Sequence, residues 1–162
     1  MTKTDRDFEF MQHALELAKC AYQVDEIPVG ALLVKENKIV AKAFNTTKHN
    51  RLAHAEKLVI EQVLDEHEKL LYSYTLYTTL EPCTMCAAMI VLSRVGRVVF
   101  GATDPKAGGC GSVYDVLEGG KLNHTPEVLG GVLAKECGKI LKEFFKEKRG
   151  SKTLASRAID NG

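Results

Sequence analysis

Two short motifs in this chain contain the residue types of a metal site. The first is His54-Ala55-Glu56, and the second is Pro82-Cys83-Thr84-Met85-Cys86. Zinc prefers imidazole and thiolate ligands; a structural zinc takes four of them, whereas a catalytic zinc takes three and leaves the fourth position to water. His54, Cys83 and Cys86 supply three, and no second Cys-x-x-Cys, Cys-x-x-His or His-x-x-x-His pair supplies a fourth. The ligand count therefore predicts one catalytic zinc ion per chain.

Glu56 is an acidic residue two positions after the candidate ligand His54. A zinc ion lowers the pKa of bound water from about 15.7 to about 7. A carboxylate beside that water can carry its proton, so Glu56 is the predicted catalytic general acid and base. Two simpler interpretations stay open at this point. A lone Cys-x-x-Cys is also typical of a redox pair or half a zinc ribbon, and a His and a Glu on a helix are usually solvated.

The spacing of these residues indicates how the chain holds them. Cys83 and Cys86 are three positions apart and lie on one face of a helix. Pro82 suits the first helical turn, and a helix N-terminus favours the thiolate that binds metal. His54 and Glu56 are separated by a rotation of about 200° on a regular helix. We therefore expect both motifs at the start of a helix.

Hydrophobic patterning predicts the elements that position the two motifs. We expect a first helix capped by Thr4 and Asp7, with one apolar face formed by Phe8, Met11, Leu15, Ala18 and Tyr22. The other predicted elements are strands at 29–34, 39–44, 75–80, 97–101 and 127–129, and helices at 54–64, 83–93, 113–117 and 133–150. The first two strands should form a hairpin, and the third and fourth a parallel β-α-β unit. The metal site then lies at the carboxyl end of the third strand.

Composition indicates a single domain. With 162 residues and 45% hydrophobic content, we expect one globular domain at 1–150 and a flexible tail at 151–162. No apolar run is long enough for a membrane span, and the first ten residues are too polar for a signal peptide. Five cysteines, two of them assigned to zinc, favour a reduced cytoplasmic location.

Charge is concentrated near the C-terminus. The segment 135–157 contains eight basic and three acidic residues, a local net charge of +5 that leaves −4 for the rest of the chain. A solvated helix face explains this pattern as readily as a surface that contacts phosphates. For the second interpretation, the candidate contacts to an RNA backbone are Lys142, Lys146, Lys148 and Arg149.

The order His-x-Glu, then Pro-Cys-x-x-Cys, matches the signature of zinc deaminases. Further motifs extend the match over nearly the whole chain: Glu26-Ile27-Pro28-Val29-Gly30, Leu80-Glu81-Pro82-Cys83, Asp104-Pro105-Lys106, Gly111-Ser112, Asn123-His124 and Gly131-Val132-Leu133. With these residues the chain resembles the bacterial tRNA adenosine deaminases, a family of the cytidine deaminase superfamily.

The resemblance implies a three-layer α/β fold like that of cytidine deaminase, with a five-stranded mixed sheet flanked by helices. It also implies a homodimer and the conversion of adenosine to inosine at the wobble position (34) of a tRNA anticodon loop. By the same resemblance, His54, Cys83 and Cys86 hold zinc and Glu56 is the general acid and base. The residues expected to touch the substrate are Asn45, Asp104, Lys106, Asn123 and His124.

The chain departs from the family pattern in two segments. The stretch 46–53 lacks a Pro-Thr pair before the His54 motif, and 66–74 lacks an aromatic-Arg-Leu sequence. We expect both segments near the pocket or its rim. Two alternative functions therefore stay open: a deaminase of a free base or nucleoside, such as guanine or cytosine, and a non-catalytic RNA-binding subunit of the same fold.

Overall fold

The computed structural model of the chain describes residues 1–66 and 68–160, with side chains described up to residue 151. In this part of the chain, no helix is long and apolar enough to cross a membrane. The elements, in order, are α1 (Lys3–Gln23), β1 (Gly30–Lys35), β2 (Lys38–Phe44), α2 (Ala55–Glu66), β3 (Tyr74–Leu80), α3 (Thr84–Ser93), β4 (Arg97–Ala102), β5 (Glu127–Leu129) and α4 (Ala134–Asp160).

The strands form one five-stranded mixed sheet in the order β2-β1-β3-β4-β5. Strand β1 is antiparallel to both β2 and β3. Strand β4 is parallel to β3 and to β5. The predicted hairpin and the predicted parallel β3-α3-β4 unit are therefore confirmed, and the carboxyl ends of β3 and β4 lie side by side.

Helices cover both faces of the sheet, which makes three layers. On one face, α2 and α3 pack on β1, β3 and β4 through side chains that include Val59, Ile60, Leu76, Ile90 and Val98. On the other face, α1 and the start of α4 pack on the sheet through Phe10, Met11, Leu32, Val99 and Cys137. The predicted three-layer α/β fold is confirmed.

The start of α1 differs from the prediction. Thr2 is the N-cap: its hydroxyl accepts a hydrogen bond from the Asp5 N–H at 3.1 Å, and the Asp5 carboxylate accepts from the Thr2 N–H at 3.0 Å. This capping box replaces the predicted caps, Thr4 and Asp7, both of which lie inside the helix. The buried face of the helix also differs from the prediction, because Phe8 is exposed. The face that packs on the sheet is formed by Phe10, Met11, Ala14, Ala18 and Ala21.

Helix α4 is longer than predicted. We expected it to end at Gly150, but it runs to Asp160. Gly150 lacks the positive φ of a glycine that ends a helix, and a glycine inside a helix costs only about 1 kcal/mol relative to alanine. The predicted tail at 151–162 is therefore helical to residue 160, and its last two residues lie outside the described part of the chain. The predicted short helix at 113–117 is wrong, because that segment forms turns.

Gly30 sets the distance between α1 and β1. A Cβ atom at Gly30 would lie 2.1 Å from the carbonyl oxygen of Ala14 and 2.8 Å from the Ala18 nitrogen. Since these are backbone atoms, they cannot rotate away. The glycine therefore allows helix and strand to touch.

Candidate zinc and active site

The three predicted metal ligands lie at the starts of α2 and α3. His54 directly precedes α2, and its carbonyl accepts a hydrogen bond from the Leu58 N–H at 3.0 Å. Cys83 is the N-cap of α3 with extended backbone angles, and Cys86 follows in the first turn. The expectation that both motifs start helices is confirmed. Pro82 differs in detail, because it lies before the N-cap and not within the first turn.

The ligand atoms lie close enough to share one ion. The Nδ1 atom of His54 is 3.5 Å from the Cys83 Sγ and 3.6 Å from the Cys86 Sγ. All three atoms lie within 4.8 Å of one another. Tetrahedral zinc, with Zn–S of about 2.3 Å and Zn–N of about 2.0–2.1 Å, separates sulfur from nitrogen by roughly 3.6 Å. The donor set and its spacing therefore fit a zinc ion.

Cys83 is predisposed to ionise. A hydrogen bond from the Cys86 thiol, followed by the nearby imidazole of His54, lowers the pKa of Cys83 to about 4 in spite of its burial. Its position at the N-terminus of α3 adds the favourable end of the helix dipole. Cys83 is thus in the thiolate form that binds metal.

Glu56 lies beside the ligand cluster and is almost fully buried, with 4% of its surface exposed. The Thr78 hydroxyl donates a hydrogen bond to its Oε1 at 2.9 Å, and its Oε2 lies 3.8 Å from the Cys86 Sγ. Burial raises the pKa of Glu56, although the Thr78 hydrogen bond opposes the rise. A carboxyl group with a raised pKa is suited to exchange protons near neutral pH.

A cavity of about 620 Å³ opens above Glu56 and the ligands, at the carboxyl ends of β3 and β4. Its inner wall combines the ligands with apolar side chains, and its outer wall is formed by the loop after β4 and by α4. The residues that line it beyond His54, Glu56 and Cys83 include Ile27, Val29, Asn45, Leu80, Glu81, Ala102, Asp104, Lys106, Leu141, Lys142, Phe145 and Arg149.

Asn45 is held in one orientation at the cavity wall. Its side-chain oxygen accepts a hydrogen bond from the Ala55 N–H at 2.8 Å, at the start of α2. Because the oxygen is engaged, the amide NH₂ group is the part of Asn45 left to donate hydrogen bonds to a bound molecule.

Two buried carboxylates that the sequence analysis did not select hold the loops around the cavity. Glu81 accepts hydrogen bonds from the N–H groups of Asp104, Cys110 and Ser112, each at 3.1 Å. Glu26 accepts from the Thr47 hydroxyl and, at 3.3 Å, from the Lys48 N–H. Burial alone would raise the pKa of each carboxyl, but these hydrogen bonds lower it, so both stay ionised. Both residues belong to motifs that the chain shares with the deaminase family, Glu26-Ile27-Pro28 and Leu80-Glu81-Pro82, but nothing in those motifs indicated which loops the carboxylates hold.

Comparison with known proteins places this site in a family. A model of the cytidine and deoxycytidylate deaminase zinc-binding region matches residues 4–102. A tRNA-specific adenosine deaminase of Bacillus subtilis is 45% identical over 161 residues, covering 95% of this chain and 98% of the relative. The chain belongs to the tRNA-specific adenosine deaminase family. A relative of the same name from Haemophilus influenzae is 43% identical to this deaminase and covers 94% of it.

A solved structure from a study of A-to-I editing by tRNA:A34 deaminases superposes on this deaminase with a TM-score of 0.77. The two chains are 38% identical, and the match covers 82% of this chain and 99% of the other. The zinc-binding family and the ligand cluster together identify the deaminase as a zinc-dependent hydrolytic enzyme.

The predicted substrate residues fall into two groups. Asn45, Asp104 and Lys106 line the cavity. Asn123 and His124 do not: the His124 ring contacts the Val95 carbonyl oxygen, at an Nε2···O distance of 2.6 Å. Val95 lies just before β4, whereas the cavity lies at the end of this strand. The His124 ring is therefore separated from the cavity by the length of β4, roughly 20 Å at about 3.3 Å per residue. The role of Asn123 and His124 in binding RNA stays a prediction.

The four predicted RNA-backbone contacts also divide. Lys142 and Arg149 line the cavity and lie on the same face of α4. Lys148 instead forms an ion pair with Asp25, at the end of α1. Lys146 is exposed and is not among the residues that line the cavity.

The two segments that depart from the family pattern lie at opposite ends of the deaminase. The 46–53 loop adjoins the cavity, because its Thr46 N–H bonds the Ala53 carbonyl just before the ligand His54. The described part of 66–74 lies at the amino ends of β3 and β4, where the Leu71 N–H bonds the Ser93 carbonyl at 2.9 Å. The expectation that this second segment lies near the pocket is wrong.

Proposed function

We propose that this deaminase hydrolyses adenosine to inosine at wobble position 34 of a tRNA anticodon loop. The observation that carries the proposal is one cavity with a metal-ligand cluster and Glu56 at its base and Lys106, Lys142 and Arg149 on its wall. A free base offers those three cations no phosphate, whereas an RNA loop does. The names of the relatives at 43% and 45% identity support the same substrate.

His54, Cys83 and Cys86 would hold the zinc ion, one per chain. When bound, zinc supplies the Lewis acidity that makes water a nucleophile at neutral pH. Two thiolates and a neutral imidazole balance the charge of the ion, so the buried site gains no net charge.

Glu56 moves the protons of the reaction. Its Oε2, which faces the ligand cluster, accepts a proton as water oxygen adds to C6 of the adenine. The carboxyl group then gives this proton to the amino nitrogen on C6, and ammonia leaves as the C6–N bond breaks. The proton of the C6 hydroxyl moves to N1 as the C6 carbonyl of inosine forms. A non-catalytic subunit would not need a carboxyl at this place, so the position of Glu56 favours the enzyme.

Asn45 and the loop after β4 orient the base. The Asn45 NH₂ group, whose oxygen is already bonded to the Ala55 N–H, donates to an acceptor nitrogen of the purine. A base within a duplex cannot reach such a cavity, whereas the bases of an anticodon loop are already unstacked. Lys142 and Arg149 then contact the phosphates beside the inserted nucleotide.

We further propose that residues 1–150 form the deaminase domain and that two such chains form a homodimer. The support for the dimer is apolar surface on the layer of α2 and α3. Leu92 on α3 is 76% exposed, and Tyr72, in the loop beside it, is 59% exposed. Light scattering should give twice the chain mass, and Leu92→Asp should reduce it to the monomer value; a monomeric wild type would contradict this proposal.

An assay of inosine formation tests the proposed function directly. An anticodon hairpin with adenosine at the wobble position should be converted efficiently, while guanine, cytosine and free adenosine should release little ammonia. The matched control is the same hairpin with guanosine at that position. Efficient turnover of a free base without turnover of the hairpin would reject the tRNA substrate.

A further inference from the structure

The two oxygens of the Glu56 carboxyl group have different surroundings. Oε1 lies 2.9 Å from the Thr78 hydroxyl oxygen on β3, whereas Oε2 lies 3.8 Å from the Cys86 Sγ in the ligand cluster. One oxygen is therefore tied to the sheet, and the other faces the place where the chemistry occurs.

Thr78 is fully buried, and its hydroxyl is enclosed by two acceptors. Besides Glu56 Oε1, the Leu80 carbonyl oxygen lies 3.1 Å from the Thr78 Oγ1. A valine would fill the same space without the hydroxyl, and it would leave a buried carboxyl oxygen without its partner. The zinc motifs do not include Thr78, so neither metal binding nor the ligand geometry explains a hydroxyl at this place.

We propose that Thr78 is a positioning residue that fixes the rotamer of Glu56 and so selects Oε2 as the oxygen that exchanges protons. A glutamate has several rotamers, and a proton carrier must be held in the one that reaches the reacting atoms. The hydrogen bond from Thr78, on β3, holds the Glu56 side chain in that rotamer. The inference rests on the proposed function, since Glu56 is the proton carrier there.

The neighbouring residue provides a matched control. Thr79 is also fully buried on β3, but it points to the other side of the sheet, where its hydroxyl accepts a hydrogen bond from the Gly30 N–H at 3.1 Å. Thr78→Val and Thr79→Val thus remove the same atom from adjacent positions of one strand. Only the first removes a contact with Glu56.

We expect Thr78→Val to lower kcat on the anticodon hairpin by about tenfold to a hundredfold, the range for a lost hydrogen bond to a charged group. KM and the zinc content should stay within about twofold of wild type, since binding groups and ligands are unchanged. Thr78→Ser, which keeps the hydroxyl, should restore most of kcat. Thr79→Val should lower the melting temperature but leave kcat near the wild-type value.

Three results would overturn the inference: a wild-type kcat in Thr78→Val, an equal loss of kcat in Thr79→Val, or no rescue by Thr78→Ser. If Thr78→Val fails to fold, Thr78→Ala removes the same hydroxyl without adding a methyl group on that side. The proposed function fails separately, when wild type does not convert the hairpin. In that case the same variants are compared on whichever base the wild type deaminates.

Discussion

The Asp7 carboxylate and the Arg97 guanidinium, 90 residues apart in the sequence, form a two-pronged ion pair at 2.6 and 2.7 Å. The Tyr77 hydroxyl donates to the same carboxylate at 2.7 Å. Burial alone would raise the pKa of Asp7, but the hydrogen bonds from Arg97 and Tyr77 lower it below its ordinary value. The pair joins α1 to β3 and β4 at the end of the sheet opposite the cavity.

We expect Asp7→Asn to reduce the free energy of unfolding by up to about 3–5 kcal/mol, because it removes the buried one of the two carboxylates that pair with Arg97 and leaves only the exposed Glu127. The folded pKa lies below the unfolded one, so the stabilisation is complete above the unfolded value of 3.8 and is lost as pH falls through the folded pKa. In urea unfolding between pH 7 and pH 3, the difference between wild type and variant should therefore stay constant down to about pH 4–5 and narrow by about 1 kcal/mol at pH 3. Glu16→Gln, at an exposed ion pair with Lys19, should change stability by less than about 1 kcal/mol.

Loss of a ligand should remove the metal. Cys83→Ser and Cys86→Ser each delete a thiolate, so elemental analysis should find about one zinc per wild-type chain and far less in either variant, together with loss of deamination. Cys20→Ser is the control, because Cys20 is an exposed free cysteine outside the ligand cluster. Full zinc in either ligand variant would refute the assignment.

Glu56→Gln should separate chemistry from metal binding. The amide keeps the size of the side chain but cannot carry the proton, so kcat should fall by about 10²–10⁴ or more. Zinc content and hairpin affinity should stay near wild type. Glu61→Gln, on the same helix at an exposed ion pair with Lys57, should retain activity. Substantial turnover by Glu56→Gln would show that another group moves the proton.

The salt dependence of RNA binding should distinguish the basic residues of α4. Lys142 and Arg149 line the cavity, and Lys148, which is not among the lining residues, forms an ion pair with Asp25. Each phosphate contact contributes roughly −0.7 to the log-log slope of single-strand affinity against salt. Replacing Lys142 and Arg149 with Gln should flatten the slope by about 1.4, and Lys148→Gln should leave it unchanged. Equal effects of all three substitutions would indicate a diffuse basic surface.

The metal motifs could be predicted because their geometry is local. Cys83 and Cys86 are joined by a single helical turn, and His54 and Glu56 by two residues, so residue type and spacing nearly determine the arrangement. The strands were also predictable, since β3 and β4 are apolar runs that flank a helix of the right length. The antiparallel pairing of β1 with β3, which joins the hairpin to the parallel unit, came only from the fold.

Other features depend on contacts between distant residues. Asp7 was predicted to cap the first helix, because no residue near it in the sequence indicates that it pairs with Arg97. Its burial turns α1 so that Phe10, not Phe8, packs on the sheet. His124 lies after a long loop, and no local pattern indicates that the loop returns to Val95 at the far end of β4.

The metal site also bears on how the chain unfolds. His54 and Cys83 are 29 positions apart. An ion bound to both residues closes a loop that contains α2 and β3, and closing this loop costs an unfolded chain conformational entropy. Free metal at a thousandfold excess over its dissociation constant would add about 4 kcal/mol to the free energy of unfolding. Zinc scarcity would then reduce the lifetime of the folded chain as well as its catalysis, through proteolysis of a larger unfolded fraction.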